Sequence, residues 1–120
     1  MALRVSMLAI DCRDAERLAA FWCEALGYKI DSAEEDGVSI VSGDASAWGI
    51  DFLVVPDDKV VKNRLHLDLR PDDQAAEVQR LLDLGATRAD VGQGDDVSWV
   101  VLADPEGNEF CILREEAAAS

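Results

Sequence analysis

The sequence predicts an α+β fold made of two tandem βαβββ modules. Three observations carry that expectation. Two amphipathic segments each begin at an aspartate and end in Leu-Gly, at Leu26–Gly27 and Leu84–Gly85, 58 residues apart. A strand-like segment precedes each of them, and three short strand candidates separated by turn residues follow each. In a chain of 120 residues this is an internal repeat with a period of about half the length.

The elements follow in order. Ile10-Asp11-Cys12-Arg13 reads as the end of a first strand. Asp14 is a good N-cap, and Leu18, Phe21, Trp22, Ala25 and Leu26 then recur at helical spacing before Gly27 stops the helix in the left-handed region. Strands are expected over Tyr28–Asp31, Val38–Ser42 and Gly49–Val55, with turns at Glu34–Gly37 and Ser42–Asp44. Pro56–Asn63 is the linker. The second module opens on Arg64–Arg70, a perfect alternation with leucines on one face and Arg64, His66, Asp68 and Arg70 on the other. Its helix begins at Asp72–Asp73 after Pro71, presents Ala75, Val78, Leu81 and Leu82, and ends at Gly85. Strands over Ala86–Val91, Ser98–Leu102 and Glu109–Leu113 complete it, with turns at Gly92–Asp96 and Asp104–Asn108. The expected division is therefore module one over about 1–55, linker 56–63, module two over about 64–114 and a frayed tail over 115–120. Each helix covers the leucine face of its small sheet. The two half-cups then pair around a cleft, and ligand chemistry belongs on the polar strand faces.

Composition narrows the function classes. Eleven basic against 25 acidic residues give a net charge of −14, which argues against nucleic acid and anionic membranes as partners. The acidic residues fall at turns, caps and the tail, so they describe a solvated surface rather than a patch. The longest apolar run, Leu18–Cys23, is too short for a membrane span, and no signal peptide is visible. Three widely spaced cysteines form neither a disulfide framework nor a zinc knuckle, so reduced thiols and a cytoplasmic location are expected. No phosphate-loop, dinucleotide or serine-hydrolase motif occurs.

Within the cleft, His66 is the sole histidine, hence the one candidate for an imidazole base or metal ligand; the plainer role is a hydrogen bond to Asp68 or a neighbouring strand. Cys111 with His66, and Asp51 or Glu109 supplying oxygen, makes a donor set acceptable to zinc. Packing beside Phe110 and Ile112 is the simpler expectation for that thiol. Asp11 and Asp68 end equivalent strands, as cleft carboxylates or, the preferred reading, as helix caps. Trp48 and Trp99 are either aromatic walls for a flat ligand or core and interface fillers.

The motifs Asp14-Ala-Glu-Arg-Leu-Ala-Ala-Phe-Trp-Cys-Glu-Ala-Leu-Gly-Tyr28, Lys62-Asn-Arg-Leu-His-Leu-Asp68, Leu84-Gly-Ala86 and Asp104-Pro-Glu-Gly-Asn-Glu-Phe-Cys111 span nearly the whole chain. In that order they resemble the vicinal-oxygen-chelate superfamily, in particular its small glyoxalase-like and bleomycin-resistance-like members. The resemblance implies a glyoxalase/bleomycin resistance/dioxygenase-type cleft and a homodimer. Metal-dependent members place ligands at four strand positions. Seven residues before the first capping aspartate lies Met7, where a histidine is usual, and seven before Asp73 lies His66, which matches. Four residues after Gly107, where glutamate is usual, lies Cys111, and the first-module counterpart falls near Asp51 or Phe52. The expected function is therefore binding of a small organic molecule in the cleft between the modules without the usual four-ligand metal site. The expected ligand contacts are Trp48, Asp51, His66, Asp68, Trp99 and Cys111, with no cofactor required. The alternative is a lyase, isomerase or dioxygenase-type enzyme of the glyoxalase kind, with His66 catalytic and a divalent metal (Zn, Ni, Mn or Fe) on His66, Cys111 and a carboxylate. A third reading is an interaction domain whose cleft is plugged by its own side chains.

Overall fold

A computed structural model describes residues 3–44, 46–89 and 98–116. The chain divides into two compact units, Met1–Asp58 and Lys59–Ser120. Each unit runs strand, helix, strand, strand, strand, as the repeat predicts.

The first unit contains β1 (Met7–Cys12), α1 (Ala15–Leu26), β2 (Lys29–Glu34), β3 (Gly37–Val41) and β4 (Gly49–Val54). Its sheet order is β1-β4-β3-β2, with β1 parallel to β4 and the other pairs antiparallel. The Asp14 side chain accepts from the Arg17 amide and satisfies one of the orphan donors of α1. At the other end Gly27 takes φ 71°, a conformation glycine adopts without a Cβ penalty. Between the caps, Leu18, Ala19, Phe21 and Trp22 are buried, and the rings of Phe21 and Trp22 meet edge to face at 5.1 Å. They cover the sheet face of Val38, Ile40, Ile50 and Phe52. Each such large side chain fully removed from water contributes roughly 1.5–3 kcal/mol. The alternate residues Ser39 and Asp51 sit opposite one another on the other face and are hydrogen-bonded.

The second unit repeats the plan with shorter strands: β5 (Asp68–Leu69), α2 (Gln74–Leu84), β6 (Thr87–Arg88), β7 (Val100–Ala103) and β8 (Glu109–Ile112). The order β5-β8-β7-β6 matches the first sheet, again with the first strand parallel to the last. Asp73 caps α2 through the Ala76 amide, and Gly85 closes it at φ 121°. Gln74 ties the start of α2 to the sheet by donating to the carbonyls of Ser98 and Ile112. Val78 and Leu81 are buried with Leu102, Phe110 and Ile112.

Several expectations need correction here. The alternating stretch Arg64–Arg70 forms a ladder only at Asp68–Leu69, and Leu65 is 84% exposed rather than packed on a leucine face. Alternation fixes which side chains share a face, but a strand extends only as far as a partner accepts its hydrogen bonds. Here the described pairing with β8 is two residues long. Of Ala86–Val91, the described residues 86–89 form strand at Thr87–Arg88, with one further bond from the Ala89 amide to the Val101 carbonyl. Ala75 is exposed, so the apolar stripe of α2 narrows to Val78, Leu81 and half-buried Leu82. Val91, the turn at Gly92–Asp96 and the last four residues of the tail lie outside the described residues.

Candidate functional site

The second sheet has two faces. Along β8, Phe110 and Ile112 point to α2 and are buried, so Glu109, Cys111 and the following Leu113 point the other way. On β7, Val101 lies directly across from Cys111, with Trp99 two residues earlier on the same side. In the parallel partner β5, Asp68 is paired with Cys111. The Cys111 amide also bonds the Leu67 carbonyl at 2.9 Å, which holds the chain beside β8 just after His66. His66 thus lies beside the cavity although its own residue is outside the strand.

This open face bounds a cavity of about 340 Å³. Trp99, Val101 and Leu113 supply an apolar wall, while His66, Asp68 and Cys111 supply polar groups, with Lys62 and Glu109 completing the lining. The imidazole Nδ1 lies 2.8 Å from Asp68 Oδ1 and 3.9 Å from Cys111 Sγ. The Cys111 side chain is buried, whereas His66 and Asp68 remain 39% and 47% exposed. Burial pushes the Cys111 thiol up to about 11, and the neighbouring Asp68 carboxylate adds to this through its charge and a hydrogen bond. Lys62 opposes the shift. The resting thiol is therefore protonated and a poor nucleophile at neutral pH.

Glu109 is already engaged. Its two oxygens accept from Lys59 Nζ and from the Asn63 amide, both at 2.8 Å. Burial alone would raise its carboxyl, but those donors outweigh it and hold it below the usual range. Within the second unit, the oxygen donor beside His66 and Cys111 is Asp68 rather than Glu109. Nor does Asp68 cap a helix, since Asp14 and Asp73 do that; Asp11 is exposed at the end of β1.

Trp48 and Asp51, the other expected contacts, belong to the first unit. Trp48 is 50% exposed and accepts from the Tyr28 hydroxyl through its carbonyl, and Asp51 takes the Ser39 hydroxyl. Val101, Leu113 and Lys62 line the cavity without having been singled out in the sequence. The two-residue step from Glu109 through Cys111 to Leu113 was the available signal for Leu113, and none pointed to Lys62.

His66, Asp68 and Cys111 are also a metal-competent group, with one ligand atom from each lying within 4.8 Å of the others. Zinc bonds of about 2.0–2.3 Å to nitrogen, oxygen and sulfur put two ligands of one tetrahedron roughly 3.2–3.7 Å apart. The observed 2.8 Å and 3.9 Å bracket that range and all three donors lie within 4.8 Å of one another, so side-chain rotations of about an ångström bring them to one ion. The residues fit a divalent metal.

Comparison with known proteins accords with this geometry. The family model described as a glyoxalase-like domain matches residues 7–113. No protein of curated function matches the chain by sequence. Similar solved structures include a glyoxalase/bleomycin resistance protein/dioxygenase family enzyme from Burkholderia phytofirmans PsJN, with 20% identity and a TM-score of 0.69 over 92% of this chain and 98% of that one. A bleomycin resistance determinant encoded on the transposon Tn5 has 20% identity and a TM-score of 0.62, covering 96% of this chain and 100% of its own. A variant of the fosfomycin resistance protein FosX from Listeria monocytogenes, complexed with Mn(II) and 1S,2S-dihydroxypropylphosphonic acid, has 11% identity and a TM-score of 0.74, covering 97% and 93%. At these identities the likeness is one of fold. With the repeated strand order in each unit and a match over nearly its whole length, this chain belongs to the glyoxalase-like domain family.

Proposed function

We propose that the second unit binds a small organic molecule in the cavity between the Trp99 wall and the His66–Asp68–Cys111 cluster. The carrying observation is that cavity of about 340 Å³, with apolar surface on one side and convergent polar groups on the other. Such a site suits a compact, largely apolar molecule with one hydrogen-bonding or cationic group facing Asp68. The resistance proteins among the similar structures support a small-molecule ligand. Calorimetric and thermal-shift titration with small aromatic and cationic compounds tests the reading. Trp99→Ala is expected to weaken any hit about tenfold, the upper end of a lost aromatic contact. Binding that survives both Trp99→Ala and Asp68→Asn unchanged would place the ligand elsewhere and overturn the reading.

A second reading is favoured by the donor cluster itself, in which a divalent metal sits on His66, Asp68 and Cys111. When bound, the metal supplies Lewis-acid activation of a ligand oxygen, in the manner of a lyase, isomerase or dioxygenase. His66, Asp68 and Cys111 would hold it beside the cavity they line. The Mn(II) complex of the FosX variant supports this reading. We further propose a homodimer working in the cytoplasm, the assembly implied by the resemblance and a compartment suited to three free cysteines. Light scattering at micromolar concentration decides the assembly, and a monomeric mass would refute it. The module boundaries 1–55 and 64–114 with a linker at 56–63 are likewise our proposal, tested by where limited proteolysis first cuts.

A further inference from the structure

The cluster places a sulfur at the buried end of a site whose other two donors are exposed, and that asymmetry has consequences for which metal it accepts. We infer that His66, Asp68 and Cys111 form a three-donor site for thiophilic dications, zinc and cadmium, that discriminates against manganese and magnesium. The inference rests on the divalent-metal reading above and specifies its metal class.

Donor chemistry is the first argument. One imidazole nitrogen, one carboxylate oxygen and one sulfur suit a borderline or soft ion, whereas manganese and magnesium prefer oxygen-rich shells. Binding replaces the thiol proton: the Sγ–H bond breaks, the Sγ–metal bond forms, and the proton leaves to solvent. Only a metal with a strong bond to sulfur compensates that exchange. Thiolate and carboxylate together then neutralise the dication.

The second argument is the lack of a substitute hard ligand. Glu109, the other acidic residue lining the cavity, is held by Lys59 and the Asn63 amide, both at 2.8 Å. Recruiting it would strip a half-buried lysine of its partner. Position is the third. Cys111 is buried on β8, flanked by ladder pairing to β7 and to β5, so its backbone is held in place. His66 and Asp68 are exposed and able to rotate by the ångström or so that closing a spread of up to 4.8 Å onto one ion requires. An ion entering from the cavity meets the exposed pair first and the sulfur last.

The experiment titrates the metal-free 120-residue chain with Zn(II), Cd(II), Mn(II) and Mg(II) separately, by equilibrium dialysis and ultraviolet absorption. The expected result is one Zn(II) or Cd(II) per chain, a thiolate-to-cadmium charge-transfer band, and Mn(II) at least ~100-fold weaker. Cys111→Ser is expected to abolish the band with helical circular dichroism unchanged. Asp68→Asn, at an exposed position, should weaken Cd(II) yet keep the band, and Cys12→Ala or Cys23→Ala should keep it at full strength. Mn(II) binding as tightly as Zn(II), lost in Cys111→Ser, would overturn the inference while leaving the divalent-metal reading standing, whereas a band that persists in Cys111→Ser would overturn both. Absence of any divalent-metal binding by the parent would overturn both.

Discussion

Glu109→Ala should destabilise the protein by roughly 2–3 kcal/mol, and the structure says why. The substitution leaves Lys59 Nζ and the Asn63 amide without their acceptor, two bonds of 2.8 Å to an ionised group. Each such bond contributes about 1.5–3 kcal/mol when buried. The Lys59 and Glu109 side chains retain 18% and 15% exposure, so water recovers part of the loss and brings it below the summed range of about 3–6 kcal/mol, to roughly 2–3 kcal/mol. At roughly 4 °C per kcal/mol for a chain this size, the melting temperature should fall by about 8–12 °C. Glu109→Gln keeps an acceptor for Asn63 and should cost about half as much. The pH dependence has a definite sign. Because the folded carboxyl is held below its ordinary value of 4.5, its contribution is complete above that value and is lost as pH falls below it. The melting temperature of the parent should therefore drop more steeply below pH 4.5 than that of Glu109→Gln. Urea melts followed by circular dichroism at pH 7 and pH 4 measure both effects. A Glu109→Ala variant within ~0.5 kcal/mol of the parent at pH 7 would refute the assignment of Glu109 to this clamp.

Asp14→Ala removes the acceptor of the Arg17 amide and should cost about 1 kcal/mol in urea melts, with Asp14→Asn nearly neutral. Equal losses in the two variants would show that charge, rather than the cap bond, is what Asp14 supplies. Alkylation of Cys111, followed by peptide mass spectrometry, should be slow at pH 8 and accelerate about tenfold per pH unit up to its pKa of about 11. Asp68→Asn, which removes a carboxylate that raises that pKa, should speed the reaction at pH 8; an unchanged rate would detach Asp68 from the thiol.

Both helices were legible because every signal for them is local. The caps at Asp14 and Asp73, the apolar periodicity and the closing glycines all lie within one stretch of chain. Sheet pairing is not local, and the errors concentrate there. Arg64–Arg70 has a faultless alternation, yet only a register with β8 determines how much of it becomes strand. The same gap hid the third donor. Asp68 stands just ahead of a helix and reads as a cap, while its pairing with Cys111 depends on a parallel contact across 43 residues. Cys111 could be weighed both as a packed thiol beside Phe110 and Ile112, which occupy the opposite face, and as a cleft ligand. Period-two reasoning over Glu109, Cys111 and Leu113 favours the cavity side.

The parallel pairing of β5 with β8 also sets a timing. His66 and Asp68 are synthesised well before Cys111, and nothing local brings them to it. A nascent or truncated chain lacking β8 holds two thirds of the cluster and none of its geometry. Any metal or ligand that needs all three groups therefore recognises only molecules in which β8 has docked. It adds stability to those alone by mass action, in proportion to the logarithm of its concentration over its dissociation constant. Occupancy of the site is in that sense a readout of completed folding, and the strand carrying the sulfur is the last component to arrive.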